Sequence, residues 1–342
     1  MMQPITDDNL GAYLRQKFPE KNDLKVEGLY RLPLGASRET FRFDLVYQDG
    51  AGQSQTEKMI LRRDPPASNV DSDRQHEFLS YQAIYGHGVP VPKMLLLEND
   101  AAHFGGAISI AEDMRGFHNS EYQFQEAAWL PKLPHVAKQF YNCMGDLAAV
   151  DVAKLDLSFM PATTRETTAL QELDNWVEKL EKNTVEPEPI CAAAIRHLRR
   201  WQPVATKLAM VHGDLRAGNF LYNDDGDLIA VLDWEMAHVG DPLEDLAWSL
   251  NRAFCFGKDD RRGGLVSRAQ AIAHWEETSG IKVDEKALHW WELFACIKGQ
   301  AIWDTCGAIW HRNQNRDVIY AYASWWLRNT QDRAILELMG KL

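Results

Sequence analysis

The sequence lacks the features by which nucleic-acid-binding and membrane-spanning proteins are usually identified. Lys and Arg number 37 against 49 Asp and Glu, which gives a formal net charge of −12 at pH 7. Because a protein that binds phosphate backbones usually carries a basic field, nucleic acid is not expected as the main partner. No apolar run approaches the length of about 18 residues that a membrane-spanning helix requires, so no membrane partner is expected either.

Paired cysteines are also missing. The chain has five cysteines, an odd number, and no two of them have the CxxC spacing of zinc ribbons and redox motifs. This argues against a disulfide framework and predicts small, buried thiols in a reducing compartment. The N-terminal residues do not form a basic start followed by an apolar run, as a secretory signal would. A cytoplasmic location is therefore the expectation.

The chain has instead the composition of an ordinary soluble protein. Its 342 residues are 45% hydrophobic and 25% charged, and they contain no fixed-period repeat and no low-complexity tract. At about 150 residues per domain, this length predicts roughly two domains, or one unit with two lobes.

The first third of the chain has the pattern of a small β-rich lobe. Residues 32–47 contain a glycine turn followed by alternating apolar residues, which predicts a hairpin. A short strand is predicted at 58–63 and a helix at 73–85, where apolar residues recur at helical spacing. Two further strands are predicted within 93–100 and 105–113. The predicted order of elements is β-β-β-α-β-β.

The rest of the chain changes to a helical pattern. Helices are predicted at residues 131–150, 165–182 and 186–206, and helices dominate again after Pro242. A group of short strands at 210–240 interrupts them.

These patterns together predict an α+β fold with two lobes. The predicted domains are an N-terminal lobe of residues 1–113, which is β-rich with one helix, and a C-terminal lobe of residues 114–342. The second lobe is larger and mainly helical. A polar hinge is expected near Glu112 and Asp113.

The residues best suited to chemistry lie in one stretch of the C-terminal half. Asp214 ends the turn HGD after a short apolar strand, and Asn219 starts the next strand. Residues 223–227 form a strong hairpin turn, and the returning strand ends at Asp233. Because the two strands are antiparallel, we expect Asn219 and Asp233 to lie side by side, with Asp214 on the adjoining loop.

Two carboxylates and an amide at one edge suit magnesium-dependent phosphoryl transfer. Mg²⁺ prefers hard oxygen ligands and usually takes one or two carboxylates together with substrate phosphates. Phosphoryl transfer also needs a carboxylate that positions and deprotonates the acceptor hydroxyl. The residues alone leave a metal-dependent hydrolase open as well, although the HxH and HExxH spacings typical of such sites are absent.

The HGD motif with Asp214 and Asn219, followed by the DWE motif at Asp233, resembles the aminoglycoside phosphotransferase family. That family shares the protein-kinase-like fold and includes choline kinase relatives. The resemblance extends over residues 28–340. It implies that the C-terminal lobe of residues 114–342 carries the catalytic and substrate-binding residues. Asp214 would be the catalytic base, and Asn219 and Asp233 would hold Mg²⁺.

The resemblance also implies how the N-terminal lobe binds a nucleotide, which would be ATP or GTP. Arg62 stands where kinases have the strand lysine that pairs with phosphates, and Glu77 stands where the helix glutamate would pair with it. The implied nucleotide-binding residues are Gly35 and Ser37 of the phosphate-covering loop, Arg62 and Glu77, and Glu112 and Met114 of the hinge that meets adenine.

Further matches lie beyond the catalytic motif. The segment Gly240-Asp241-Pro242 and Asp245 match the part of the family that supports the catalytic loop. The C-terminal half is similar to one subgroup of the family, which includes the kinase-like domains fused to some acyl-CoA dehydrogenases.

Two functions from different classes follow. The leading prediction is an ATP- and Mg²⁺-dependent phosphotransferase that moves a γ-phosphoryl group to a hydroxyl of a small molecule. The acceptor would be aminoglycoside-like, choline-like or of the hydroxyacyl type. The alternative is a nucleotide-binding, pseudokinase-like sensor or interaction module without transfer activity. The intact set of Asp214, Asn219 and Asp233 favours the enzyme.

Overall fold

The chain divides into two compact units. The computed structural model describes residues 4–32, 39–63, 74–119, 121–255 and 261–342. The first unit comprises Met1–Gly86, Pro90–Phe117 and Ala230–Glu235, and the second comprises His87–Val89, His118–Ile229 and Met236–Leu342. The single boundary expected between residues 113 and 114 stays a prediction of domain organisation.

An antiparallel sheet forms the centre of the first unit. Its strands are β1 (Asn22–Arg31), β2 (Glu39–Gln48), β3 (Ser54–Arg63), β4 (Met94–Glu98) and β5 (Ile108–Glu112). They lie side by side in the order β1-β2-β3-β5-β4. The helices are α1 (Asp7–Lys17), α2 (Arg74–Ile84) and the short α3 (Ala101–Phe104). The β-β-β-α-β-β order is confirmed, with α1 and α3 added to it.

Helix α1 begins at a capping box, and this helix was not predicted from the sequence. The Thr6 hydroxyl accepts a hydrogen bond from the Asn9 backbone N–H, and the Asn9 side chain accepts one from the Thr6 N–H. Leu10 and Leu14 are fully buried in the apolar core that this helix shares with the sheet. The helix therefore covers one face of the sheet.

The alternation in β2 and β3 places Arg62 on the face opposite the apolar core. Phe41 pairs with Leu61 across the two strands, and Phe43 pairs with Met59. All four side chains are buried in the same core. Because side chains alternate along a strand, the next residue, Arg62, points to the other face, where α2 lies.

The second unit is mainly helical, with two small sheets. Its main helices are α4 (Leu133–Ala149), α5 (Thr168–Asn183), α6 (Pro189–Leu198), α7 (Leu243–Ser249), α8 (Arg268–Ser279), α9 (Glu285–His311), α10 (Val318–Tyr322) and α11 (Arg328–Leu338). The short strands are β6 (Ala209–Val211), β7 (Phe220–Tyr222), β8 (Leu228–Val231) and β9 (His238–Gly240). Strand β6 pairs with β9, and β7 pairs with β8.

The predicted helices at 131–150 and 165–182 are confirmed as α4 and α5, whereas the third is shorter than expected. Helix α6 begins at Pro189, where proline is well tolerated, and it ends at Leu198 rather than near residue 206. Proline disfavours helical backbone in the residue before it. Pro203 therefore explains why the helix does not continue through the end of the expected range.

Helix α9 provides the core of the second unit. It is capped by Asp284, whose carboxylate accepts from the Lys286 and Ala287 N–H groups, and it continues to His311. Trp291 and Phe294 on this helix are fully buried and meet edge to face. Trp290, Trp291 and Phe294 are thus core residues, as helical spacing predicts, whereas Trp325 and Trp326 farther along the chain are exposed.

The burial of most cysteines agrees with the expectation of small, buried thiols. All five cysteines are free, and four of them are buried. Burial raises the pKa of the Cys143 thiol to about 12, which keeps it protonated.

Among the residues that the structure describes, no helix combines the length and the apolar character needed to cross a membrane.

The crossing of α4 and α8 generates a prediction about Gly145. A Cβ atom on Gly145 would lie 2.1 Å from the Thr278 hydroxyl oxygen and 2.6 Å from the Trp275 carbonyl oxygen. We expect Gly145→Ala to lower the free energy of unfolding by about 1–3 kcal/mol in urea denaturation, in spite of the better helix propensity of alanine.

Gly50 is the matched control, because a Cβ atom there would meet no atom within 4 Å. Gly50→Ala is expected to change the free energy of unfolding by less than about 0.5 kcal/mol. Equal stability of the two variants would contradict the close helix crossing.

Candidate active site

The HGD turn follows β6 and depends on a glycine. Gly213 has φ +83°, which L-residues with a side chain rarely adopt. A Cβ atom on Gly213 would lie 2.6 Å from the Met236 carbonyl oxygen, so a side chain is excluded by space as well. The backbone before Asp214 can therefore pass close to the segment that precedes β9.

A buried carboxylate on α7 binds the backbone of this turn. Asp245 Oδ2 accepts a hydrogen bond from the His212 N–H at 2.7 Å, and Oδ1 accepts one from the Gly213 N–H at 2.9 Å. Burial raises the pKa of Asp245, while His212 and the two backbone hydrogen bonds act in the opposite direction. The expected support of the catalytic loop by Asp245 is thus a pair of backbone hydrogen bonds.

Asp241 has a supporting role one turn earlier. Its carboxylate accepts a hydrogen bond from the Leu243 N–H at 3.0 Å, in the first turn of α7, and one from Trp291 Nε1 at 3.0 Å. Burial raises its pKa to about 6. This residue connects the start of α7 to the central helix α9.

The Asp214 carboxylate is held by two neutral donors. Trp248 Nε1 donates to Oδ1 at 2.7 Å, and Asn219 Nδ2 donates to Oδ2 at 2.8 Å. The Arg216 guanidinium lies 3.6 Å from Oδ1 and also pairs with Glu121. The Asp214 side chain remains 22% exposed. Its oxygens are therefore oriented but still open to a further hydrogen-bond donor.

The orientation of the Asn219 amide follows from its hydrogen bonds. Asn219 Nδ2 donates both to the Asp214 carboxylate and to the Asp214 backbone oxygen, each at 2.8 Å. Within the described part of the chain, no residue donates to the Asn219 carbonyl oxygen Oδ1. An amide oxygen held in this way is suited to a hard cation such as Mg²⁺.

Sequence analysis missed two further side chains that contact Asp214, those of Trp248 and Arg216. Trp248 lies on α7 three residues after Asp245, so the helical repeat places both on the side of α7 that faces the turn. Arg216 lies within the motif itself, but its partner Glu121 is distant in the sequence. The i, i+3 relation to Asp245 is the signal that could have identified Trp248.

A buried cluster of charges lies beneath the turn and was also missed. Lys298, in the middle of α9, donates to the Gly213 carbonyl oxygen at 2.5 Å and to Glu244 at 2.9 Å. The second oxygen of Glu244 lies 3.0 Å from His238 Nε2. Glu172 completes the cluster at 3.9 Å from the same nitrogen.

The charges of this cluster stabilise one another. Burial disfavours the charged forms of Glu244 and His238, but their partners outweigh it. Lys298 and His238 lower the pKa of Glu244 to about 2, and Glu172 and Glu244 raise the pKa of His238 to about 10. The pKa of Lys298 is also raised, by Glu244 first, against its burial.

The geometry of this cluster resembles a metal site without requiring a metal. Ligand atoms of Glu172, His238 and Glu244 all lie within 4.8 Å of one another. With His238 charged, it and Lys298 supply two positive charges to match the two carboxylates. A structural ion-pair cluster therefore accounts for these residues.

In the first unit, Arg62 and Glu77 form the ion pair that the resemblance implied. Arg62 Nη1 lies 3.0 Å from Glu77 Oε1, and Glu77 is buried on α2. Burial acts to lower the pKa of Arg62, but Glu77 and the neighbouring negative charges keep it above the usual value. The guanidinium is therefore permanently charged and fixed in position.

Asp233 belongs to the first unit, with Arg62 and Glu77. Its backbone N–H donates to the Tyr81 hydroxyl at 2.9 Å, and its φ is +71°. Left-handed backbone is uncommon for a residue other than glycine and is best tolerated by Asn and Asp. The charge of Asp233 contributes to the raised pKa of Arg62.

The structure thus brings Asp214 and Asn219 together in the second unit and groups Arg62, Glu77 and Asp233 in the first. Glu112 ends β5 with an exposed side chain, its N–H bonded to the Lys93 carbonyl oxygen. Met114 follows it and is half-buried. Gly35 and Ser37 lie outside the described residues. The side-by-side placement of Asn219 and Asp233 stays a prediction.

The comparison with protein families gives a match over most of the chain. The profile of the Phosphotransferase enzyme family matches residues 31–281.

Solved structures with a similar fold confirm the protein-kinase-like architecture. A Ralstonia eutropha protein, provisionally assigned as an aminoglycoside phosphotransferase, is 18% identical with a TM-score of 0.77, covering 97% of this chain and 98% of that chain. A variant of an aminoglycoside 2'-phosphotransferase in complex with GDP is 15% identical with a TM-score of 0.62, covering 97% and 99%. A Plasmodium vivax ethanolamine kinase is 15% identical with a TM-score of 0.58, covering 92% and 83%.

Curated relatives include members of the acyl-CoA dehydrogenase family. Acyl-CoA dehydrogenase family member 11 of Rattus norvegicus is 24% identical over 286 residues, which is 82% of this chain and 34% of the relative. Family member 10 of Mus musculus is 25% identical over 198 residues, which is 56% of this chain and 18% of the relative. The chain spans between 18% and 34% of the length of the curated relatives it matches.

The charge of His238 generates a prediction about alkaline stability. Its pKa is about 10 in the folded state and about 6.5 in an unfolded chain, so its contribution to stability is complete below the lower value and is lost as the pH rises through the higher one. Between pH 7 and pH 10 the free energy of unfolding should therefore fall faster in the wild type than in His238→Gln. The slopes of the free energy of unfolding against pH should differ between the two proteins by roughly 1.4 kcal/mol per pH unit.

Urea unfolding at a series of pH values measures this difference. His311→Gln is the control, because His311 is exposed at the end of α9 and its loss should leave the slope unchanged. Parallel pH profiles of the wild type and His238→Gln would show that His238 is not charged in the folded protein.

Proposed function

The chain belongs to the phosphotransferase enzyme family, and on that premise we propose that it uses ATP or GTP with Mg²⁺ to phosphorylate a hydroxyl group of a small molecule. The observation that carries the proposal is the Asp214 carboxylate, which Trp248 and Asn219 orient while its side chain stays partly exposed. A general base needs this combination of fixed position and access.

Asp214 would accept the proton of the acceptor hydroxyl. Each of its oxygens already accepts one neutral hydrogen bond and has capacity for another. The bonds from Trp248 and Asn219 hold the carboxylate in one rotamer, so an incoming hydroxyl would meet a positioned acceptor. The Arg216 guanidinium lies 3.6 Å from Oδ1, on the same carboxylate oxygen that Trp248 binds.

Arg62 would bind the phosphates of the nucleotide. Its pairing with the buried Glu77 fixes the guanidinium, and a guanidinium can offer several donors to phosphate oxygens at once. Gly35 and Ser37 would cover the phosphates, while Glu112 and Met114 would meet the base. The neighbour crystallised with GDP supports nucleotide use.

Asn219 and Asp233 are the residues proposed to hold Mg²⁺. The Asn219 carbonyl oxygen and the Asp233 carboxylate provide the oxygen donors that this ion prefers, and the bonded Asn219 amide nitrogen fixes which atom is offered. When bound, the ion supplies positive charge to the phosphate oxygens.

The acceptor is proposed to belong to one of three classes. Aminoglycoside-like and choline-like alcohols are supported by the names of the structural neighbours, which include aminoglycoside phosphotransferases and an ethanolamine kinase. A hydroxyacyl thioester is supported by the curated relatives, which are acyl-CoA dehydrogenase family members. A panel of kanamycin, choline, ethanolamine and 3-hydroxyacyl-CoA represents all three classes.

Asp214→Asn provides the test of the catalytic role. The amide cannot take a proton from the acceptor, so we expect kcat to fall by about 10²–10⁴-fold while the KM for Mg-ATP changes little. The measurement is steady-state phosphoryl transfer to whichever panel member the wild type uses.

Asp225→Asn is the matched control, because Asp225 is exposed in the turn between β7 and β8 and loses the same charge. It should keep the wild-type kcat. Asp214→Asn with unchanged turnover would rule out Asp214 as the base.

Asp233→Asn provides the test of nucleotide and metal binding. Asparagine tolerates the left-handed backbone at φ +71°, so this variant removes the charge without the strain that alanine would add. At about 100 times its dissociation constant, Mg-ATP should add roughly 2.7 kcal/mol of stability to the wild type, observed as a higher melting temperature.

We expect this shift to need Mg²⁺, to be lost in Asp233→Asn and to persist in Asp225→Asn. A shift without transfer to any member of the acceptor panel would favour the nucleotide-binding module. No shift with either ATP or GTP would contradict both functions.

A further inference from the structure

We propose that Lys298 is a positioning residue for Asp214, and that it acts through the peptide bond between Gly213 and Asp214. The inference rests on the proposed function, because it concerns the placement of the proposed base. It adds a residue that lies outside the catalytic motif and more than eighty positions away along the chain.

Both polar atoms of that peptide group are bound by side chains. Lys298 Nζ donates to the carbonyl oxygen of Gly213 at 2.5 Å, and the Asp214 N–H donates to His212 Nδ1 at 3.1 Å. The His212 ring therefore has its proton on Nε2 when it is neutral. With both ends held, the peptide plane cannot rotate, and the Cα atom of Asp214 is fixed.

The preceding peptide group, between His212 and Gly213, is bound by a side chain of opposite charge to Lys298. Asp245 accepts the N–H of Gly213, while Lys298 binds the carbonyl oxygen of the same residue. A carboxylate and an ammonium thus hold the two sides of one glycine whose φ is +83°. Charged groups form stronger hydrogen bonds than neutral groups, so they hold a strained backbone more firmly.

Lys298 also contacts the side chain that orients the Asp214 carboxylate. Its ammonium lies 5.2 Å from the centre of the Trp248 ring, and Trp248 Nε1 donates to Asp214 Oδ1 at 2.7 Å. One ammonium group therefore touches the backbone before Asp214 and the ring that binds its carboxylate. The centre of the Trp176 ring lies at the same distance from the ammonium.

Stability alone does not explain a lysine at this position. Lys298 is 1% exposed in the middle of α9, and its ammonium pairs with the equally buried Glu244. A buried ion pair is often no more stabilising than apolar side chains of similar volume. If both partners of the ion pair were replaced by apolar side chains, the bond to Gly213 would be the contact of Lys298 that is lost without a substitute.

The test compares two variants that break the same ion pair. Lys298→Met removes the ion pair with Glu244 and the bond to Gly213. Glu244→Gln removes the ion pair but keeps the ammonium that binds Gly213. The double variant Lys298→Met/Glu244→Gln removes both charges of the pair. His238 and Glu172 then remain as one positive and one negative charge, so no buried charge is left without a partner.

The readouts separate position from stability. For each variant we would measure phosphate release from Mg-ATP, the KM for Mg-ATP, the melting temperature and hydrogen exchange of the backbone segment 209–216. The exchange measurement needs no acceptor and no activity. It reports whether the N–H groups of the turn open more often.

We expect Lys298→Met and the double variant to lower kcat by about tenfold or more at nearly unchanged KM, because small displacements of a catalytic group have large effects on rate. Both should exchange faster in segment 209–216. The double variant should recover most of the melting temperature lost in Lys298→Met. Glu244→Gln should keep kcat within about threefold and keep slow exchange in that segment.

The proposal would be overturned if the double variant recovered kcat and slow hydrogen exchange as well as its melting temperature. Lys298 would then act only by balancing the charge of Glu244. Equal losses in Glu244→Gln and Lys298→Met would overturn it too. Failure of the proposed function looks different. In that case Asp214→Asn would release phosphate as fast as the wild type, and hydrogen exchange would still decide the role of Lys298.

Discussion

The backbone of Gly213 is the constraint on which the second unit depends. Its left-handed conformation turns the chain between β6 and Asp214, and its N–H and carbonyl groups are bound by a carboxylate and an ammonium. Those two groups come from α7 and α9, so the helices that form the core also fix the turn. Packing and chemistry are therefore coupled: the apolar burial of Trp291 and Phe294 holds the helix on which Lys298 stands.

The charges in this core need one another. A single buried carboxylate or ammonium would be costly, but the cluster contains two carboxylates and two cations within hydrogen-bonding or ion-pairing distance. Its electrostatic balance allows a polar contact with the backbone deep in an apolar unit. The first unit uses the same principle on a smaller scale, where the buried Glu77 is matched by Arg62.

Local patterns predicted the fold and the residues of the motif, whereas long-range contacts were beyond them. The alternation in β2 indicated which residues face the core, and helical spacing indicated α4 and α5. Helix α1 was missed because its signal is a cap, Thr6 with Asn9, rather than a long apolar face. Trp248 and Lys298 were missed because their partners, Asp214 and Gly213, are distant in the sequence. Periodicity within a helix indicates which residues share a face, as Asp245 and Trp248 do on α7, but it does not indicate what lies against that face.

The segment Ala230–Glu235 belongs to the first unit, although the chain on both sides of it belongs to the second. Its N–H at Asp233 reaches the Tyr81 hydroxyl across 152 positions of sequence. During synthesis, the N-terminal sheet can form early, but this bond must wait until the ribosome has added the HGD turn and the hairpin after it. The nucleotide-binding half proposed here is therefore not a separable module, since a gene fragment that ended at Phe117 would encode it without Asp233 and Glu235.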